Sequence, residues 1–167
     1  MERIEINRLS ENFIEAVGKE WMLITAGVLE NFNMMTASWG GMGYLWNKPV
    51  AFIFVRPERY TYEFIEKSDY FTLSFLGKLR KVYNICGSKS GRDIDKLQAT
   101  GLNPIETKLG NVLYKEARLS MECKKLYTDV LRAENFIGEV ADRFYGEKEG
   151  GFHRLYIGEI LNTWVTE

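Results

Sequence analysis

The chain has 167 residues, 46% apolar and 27% charged, which suits one globular domain that buries most of the surface its unfolded form exposes and excludes a disordered chain. Its 22 basic and 23 acidic residues leave a net charge of −1, so no bulk field draws it to nucleic acid or an anionic membrane. No apolar run approaches a bilayer span, and Met1-Glu2-Arg3-Ile4-Glu5 lacks the basic-then-apolar order of a signal peptide, which places the protein in the cytoplasm.

In chain order, Ser10 precedes Asn12-Phe13-Ile14-Glu15-Ala16-Val17, a helix pattern with Phe13, Ile14 and Val17 on one face, so residues 1–20 read as a helical decoration of a single domain spanning 1–167. Met22 to Val28 is a buried strand, and a turn through Glu30-Asn31-Phe32-Asn33 leads to an antiparallel neighbour, Asn33 to Trp39. Gly40-Gly41-Met42-Gly43 then reads as a glycine-rich break. Val50 to Val55 is apolar at every position, as for a strand covered on both faces, and Arg56-Pro57-Glu58-Arg59-Tyr60 ends it in a turn. Thr61 is placed to N-cap a short helix over Tyr62 to Glu66. Tyr70 to Leu76 is a strand. Lys78 to Cys86 is a helix with Leu79, Val82, Tyr83 and Cys86 on one face and Gly87 at its end.

Arg92 is expected to open a further helix with Lys96 one turn later. Ala117 to Leu126 alternates, with Leu119, Met121 and Cys123 on one side, and strands over Phe136 to Phe144 and Arg154 to Val165 follow, separated by a turn from Gly146 to Gly151. Six or seven strands with a few short helices and no regular strand-helix alternation describe a mainly β chain, an antiparallel barrel rather than a doubly wound sheet.

Two cysteines 37 positions apart and a single histidine, His153, exclude a structural zinc site and a paired-histidine metalloprotease site, so no metal is expected. Free cysteines ordinarily serve as small buried hydrophobes; a Cys86–His153 nucleophile pair stays open.

Three stretches carry chemistry. Thr36 and Ser38 share one face of an otherwise apolar strand, where packing alone favours Val, Ile or Leu. Arg56 and Arg59 flank a helix N-terminus, a natural seat for a phosphate. Ser88-Lys89-Ser90-Gly91-Arg92, followed by Lys96, offers hydroxyls, backbone N–H groups and cations to an anion, without the spacing of a Walker or Rossmann loop.

These stretches, Asn33-Met34-Met35-Thr36-Ala37-Ser38-Trp39, Arg56 to Thr61 and Ser90 to Lys96, stand in order with a late His153-Arg154-Leu155-Tyr156-Ile157-Gly158-Glu159-Ile160 strand. In this the chain resembles the flavin reductase-like proteins with the FMN-binding split barrel, especially the flavoredoxin-type branch, from Trp21 to Val165. The resemblance implies a Greek-key-like antiparallel split β-barrel and an FMN-binding homodimer. It implies that Thr36, Ala37, Ser38 and Trp39 line the flavin, that Arg56, Arg59, Tyr60 and Thr61 surround its phosphate or ribityl chain, and that Ser88, Ser90, Gly91, Arg92 and Lys96 complete the anion site. His153 would lie near the open face of the ring. The implied activity is an oxidoreductase that takes hydride from NAD(P)H onto FMN and passes electrons to a small-molecule or protein acceptor; the alternative is an FMN-binding electron carrier reduced by a partner protein. Hydride transfer between two rings needs no conspicuous acid or base, only placement and tuning.

Overall fold

The computed structural model describes residues 1–146 and 150–166. Eight strands form one sheet: β1 (Glu2–Ile4), β2 (Met22–Val28), β3 (Asn31–Ala37), β4 (Gly40–Leu45), β5 (Lys48–Val55), β6 (Tyr70–Phe75), β9 (Leu119–Val130) and β10 (Arg154–Val165). A separate ladder pairs β7 (Pro104–Glu106) with β8 (Val112–Tyr114). The short helices are α1 (Phe13–Glu15), α2 (Tyr60–Lys67), α3 (Arg80–Ser88), α4 (Lys96–Thr100) and α5 (Val140–Phe144).

The sheet runs β3-β2-β6-β9-β10-β5-β4, with every neighbouring pair antiparallel. Its two terminal strands, β3 and β4, are consecutive in sequence and joined by Ser38 and Trp39 alone. Three Cα steps span at most about 11 Å, so the sheet must curl until its ends nearly meet. β3 and β4 form no ladder with each other, and this gap is the split in the barrel.

Side chains on the concave face fill the barrel, among them Met22, Ile24, Ala51, Ile53, Phe71, Leu73, Met121, Cys123 and Tyr156. A second cluster, with Leu23, Met34, Val82, Tyr83, Cys86 and Tyr114, packs α3 and β8 against the outside of β2 and β3. Both faces of β2 and β3 are thus covered at their centres, which burial of alternating side chains on either side of the pleat requires.

Several local expectations are corrected. Asn12 rather than Ser10 caps α1, accepting from the N–H groups of Ile14 and Glu15, and Ile14 is exposed rather than core-facing. Within residues 1–20, Glu2–Ile4 is a strand paired with the far end of β10. The glycines at 40, 41 and 43 belong to β4 instead of breaking the chain. Phe52 of β5 lies across the first two: a Cβ on Gly40 would stand 2.6 Å from the Phe52 carbonyl oxygen and one on Gly41 2.8 Å from its ring.

β5 is covered on one face, with Ile53 and Val55 fully buried, while Phe52 and Phe54 are half-buried on the other. The chain from Phe136 to Phe144 is not a strand. A left-handed Gly138 precedes α5, and Ile137 is 93% exposed where a core strand would bury it. Of the expected turn from Gly146 to Gly151, residues 147–149 lie outside the described residues.

Candidate functional site

β3 is the edge on which the site is built. β2 is its ladder partner on one side, so alternate backbone groups on the other side are available to something else. At its C-terminal end Met35, Thr36, Ala37, Ser38 and Trp39 line a pocket of about 200 Å³, with Phe54, Arg56, Arg59 and His153 opposite. Seven of the residues expected to bind a ligand, counting His153, therefore meet in one concavity.

The third expected stretch closes on the same strand from outside. The Thr36 hydroxyl donates to the Tyr83 carbonyl at 2.6 Å, fixing α3 against β3. Asn33, absent from the expected site, donates through Nδ2 to the Thr61 hydroxyl at 2.8 Å and packs on Gly91, where a Cβ would overlap its side-chain oxygen. Thr61 is consequently a buried residue inside α2 rather than its cap; Arg59 occupies the cap position with no side-chain bond of that kind. Arg92 opens no helix. Ser90 to Ile94 is a turn, closed by Asp93 and Ile94 N–H groups on the Ser90 carbonyl, and Asp95 caps α4 by accepting from Gln98 N.

The cations divide into two kinds. Arg59 donates to the carbonyls of Gly87 (2.7 Å) and Cys86 (3.1 Å); Lys96, 5% exposed, donates to those of Met34 (2.7 Å) and Cys86 (3.2 Å). Both thus sit on the C-terminal carbonyls of α3, where the helix dipole favours positive charge. No carboxylate among the described residues pairs with either. Burial holds Lys96 down to about 8, with Arg59 adding to the effect, and burial also lowers Arg59. Arg92, by contrast, is exposed, pairs with Glu63 and lies 4.5 Å over the Tyr60 ring, facing α2 rather than Lys96. The Ser88 hydroxyl is turned back to the Asn84 carbonyl, and that of Ser90 accepts from Arg92 N.

The opposite end is aromatic, with the Arg56 guanidinium beside it. Trp39 meets Phe144 edge-on at 5.4 Å and His153 at 5.1 Å, and Phe54 meets His153 edge-on at 6.5 Å. His153 shares a hydrogen bond of 2.9 Å between Nδ1 and the Tyr145 hydroxyl. Burial, reinforced by the Arg56 guanidinium, pushes its pKa down to about 4, so the imidazole is neutral at physiological pH. Arg56 ties this end together through the carbonyls of Phe144 (3.0 Å) and Gly151 (3.3 Å) and lies over the Tyr145 ring.

Phe144, the last residue of α5, and Tyr145 just after it were missed, since a five-residue helix is too short to show a period. Phe54 was legible only as part of an apolar run. The Cys86 thiol is buried and pushed up to about 11 by that burial, despite Lys96 and Arg59 nearby, so it is protonated at neutral pH and no candidate nucleophile.

Comparison with known proteins identifies the fold and the family. The family model for the flavin reductase-like domain matches residues 15–167. No curated protein matches the chain. Among solved structures, flavoredoxin from Methanosarcina acetivorans is 22% identical with a TM-score of 0.67, covering 100% of this chain and 77% of its own. An FMN-binding protein from Thermus thermophilus, with bound p-hydroxybenzaldehyde, is 21% identical with a TM-score of 0.68, covering 100% and 83%. An NADH:FAD oxidoreductase from Streptomyces globisporus is 15% identical with a TM-score of 0.65, covering 88% and 75%. The fold is therefore that of the split barrels in this group, and the chain belongs to the flavin reductase-like family.

Proposed function

We propose that the protein binds FMN along β3 and works as an oxidoreductase, with NAD(P)H as electron donor and a small molecule or protein as acceptor. The observation that carries this reading is the pair Arg59 and Lys96: two partly or fully buried cations, without a carboxylate partner among the described residues, that meet on the Cys86 carbonyl of α3, with Arg59 lining a pocket whose other side is aromatic. A ligand with a phosphate at one end and a flat ring at the other matches that division of charge.

Lys96 has three N–H donors, of which two reach protein carbonyls, and the Arg59 guanidinium likewise uses two of its five. The Ser90-Gly91-Arg92 turn seats against Asn33 of β3 because Gly91 carries no side chain there. Thr36 to Trp39 would hold the ring against Phe54, with backbone donors on the free edge of β3. His153, neutral and anchored by Tyr145, would present an uncharged polar group to the ring's open side without adding positive charge. Bound FMN would supply the two-electron redox chemistry, and the protein's part is to place the ring, shield it from water and neutralise the phosphate.

A pocket of about 200 Å³ is smaller than the roughly 300–1,000 Å³ of ordinary ligand sites, which fits a ring covered on one side only. A second copy of the chain completing that cover is the homodimer we propose, to be checked by sedimentation equilibrium with and without FMN.

Stopped-flow reduction of the FMN-loaded protein by NADH and by NADPH tests the activity. Bleaching within seconds supports the reductase. Bleaching slower than minutes at millimolar nicotinamide would instead fit an electron carrier reduced by a partner protein and would overturn the proposed donor.

A further inference from the structure

A cavity of about 330 Å³ lies at the far end of β10, between that strand, its neighbour β1 and the β7–β8 ladder. Asn162 and Trp164 of β10 form its walls with Ile105, Thr107 and Leu113 of the ladder and its turn. Glu122 of β9, 0% exposed, is its most deeply buried lining residue. Asn162 stands nine residues beyond His153, about 30 Å at strand rise, so nothing bound here touches a ring at the split. The volume falls within the range of ordinary ligand sites.

Glu122 is held by neutral groups alone. Its Oε1 accepts from the Thr107 hydroxyl and from Asn111 Nδ2 at 2.8 Å, and its Oε2 accepts from Asn162 Nδ2 at 2.6 Å. No lysine, arginine or histidine among the described residues forms an ion pair with it. A carboxylate taken out of water ordinarily has a cation beside it, because its desolvation is only partly offset by neutral donors. Each carboxylate oxygen has two acceptor sites, so Oε1 is filled and Oε2 has one open. Asn162 Oδ1 accepts from no described residue, and it is not sealed from solvent. Thr107 is fixed in turn by the Leu109 and Asn111 N–H groups, both donating to its hydroxyl, so the acceptors stand in place before any ligand arrives.

That pattern selects a class of ligand. One open site on Oε2 and another on Asn162 Oδ1 suit an ammonium, a point charge with three donors. A guanidinium would engage both carboxylate oxygens in one plane, and Oε1 is already doubly occupied. Trp164, Ile105 and Leu113 offer a ring and apolar walls to a carbon chain beside the charge. At the mouth, exposed Arg3 and Lys108 outnumber Glu106, which opposes a second positive charge at the ligand's outer end.

We propose that this cavity binds a small primary monoamine, with its ammonium on Glu122 Oε2 and Asn162 Oδ1 and its chain against Trp164. The site is separate from the split and does not rest on the flavin reading.

Calorimetry with hexylamine, hexan-1-ol and 1,6-diaminohexane tests it on wild-type protein. Hexylamine should bind, and the alcohol, which has the same chain without the charge, should bind at least about tenfold more weakly. The diamine should also bind more weakly than the monoamine. Glu122→Gln should abolish the preference for hexylamine over hexan-1-ol and leave FMN affinity unchanged. Trp164→Leu, at a half-buried position, should weaken hexylamine about threefold. Absence of hexylamine binding, equal binding of amine and alcohol to wild type, or an amine preference that survives Glu122→Gln overturns the proposal; a diamine that binds as tightly overturns its restriction to monoamines. If Glu122→Gln fails to fold, the wild-type ligand series and Trp164→Leu decide alone. Failure of wild type to bind FMN overturns the flavin reading instead and leaves the amine titrations to be read as before.

Discussion

The two ends of the wall built on β3 offer a ligand different physics. At the Lys96 end, partly or fully buried cations rest on helix carbonyls and lack a carboxylate partner among the described residues, so anion binding proposed there would be electrostatic and would answer to pH. At the Trp39 end, Phe54, Phe144, Tyr145 and a neutral His153 make an aromatic surface whose contribution is contact area and shape. The difference arises from what each end packs against: the C-terminus of α3 in one case, the irregular chain before β10 in the other. Cations are stabilised beside helix-terminal carbonyls, whereas a histidine buried among rings and beside Arg56 is driven neutral.

The largest effect expected from this contrast is on stability at the aromatic end. The folded-state pKa of His153 lies below that of a free imidazole, so as pH falls from about 6.5 to about 4 the unfolded chain takes up a proton that the native state resists. Stability contributed by the neutral imidazole should decline across that window, by up to about 3 kcal/mol. Urea denaturation of wild type and His153→Phe from pH 7 to pH 4 measures the difference, and parallel curves would show that His153 titrates normally.

Trp39→Ala should weaken FMN and riboflavin by the same amount, about 2 kcal/mol, since the lost contact is with the ring they share. Flavin fluorescence quenching measures both, and a loss confined to FMN would move Trp39 to the phosphate end.

At the cationic end, FMN affinity should be highest between about pH 6 and 8. Phosphate binding favours the protonated ammonium, so above the Lys96 pKa of about 8 binding takes up a proton and affinity falls by up to about tenfold, or 1.4 kcal/mol, per pH unit. Below about pH 6 the phosphate loses its second charge. Riboflavin should show neither limb. The smallest effect is expected of Arg92→Ala on FMN affinity, under about 1 kcal/mol, because this exposed guanidinium is engaged by Glu63 and Tyr60. A larger loss would place Arg92 beside Lys96 in the anion site.

Long elements were legible in the sequence. β2, β9 and β10 announce themselves by apolar runs or alternation, and their antiparallel arrangement follows. β1, β7 and β8, three residues each, are too short to show any period, and β1 pairs with a strand at the other end of the chain. β4 read as a break because Gly40 and Gly41 lie against Phe52 on the neighbouring strand, a tertiary contact invisible along the chain. The site was legible where polar residues interrupt an apolar pattern, as at Thr36 and Ser38, or cluster with glycine, as from Ser88 to Lys96. Roles within it were not. Thr61, Arg92 and Lys96 look alike as candidate anion ligands in sequence, yet one is locked to Asn33, one faces Glu63, and only Lys96 is buried at the cluster with α3.

The central claim is that Lys96 and its neighbours receive the phosphate of a flavin whose ring lies toward Trp39. The dissociation constants of FMN and riboflavin, measured side by side for wild type and Lys96→Met, test it most directly, because any loss of fold affects both ligands alike. Wild type should prefer FMN by tenfold or more, as expected of a charge-assisted bond contributing about 1.5–3 kcal/mol, and the variant should bind the two nearly equally. An FMN preference that survives Lys96→Met unchanged would contradict the claim.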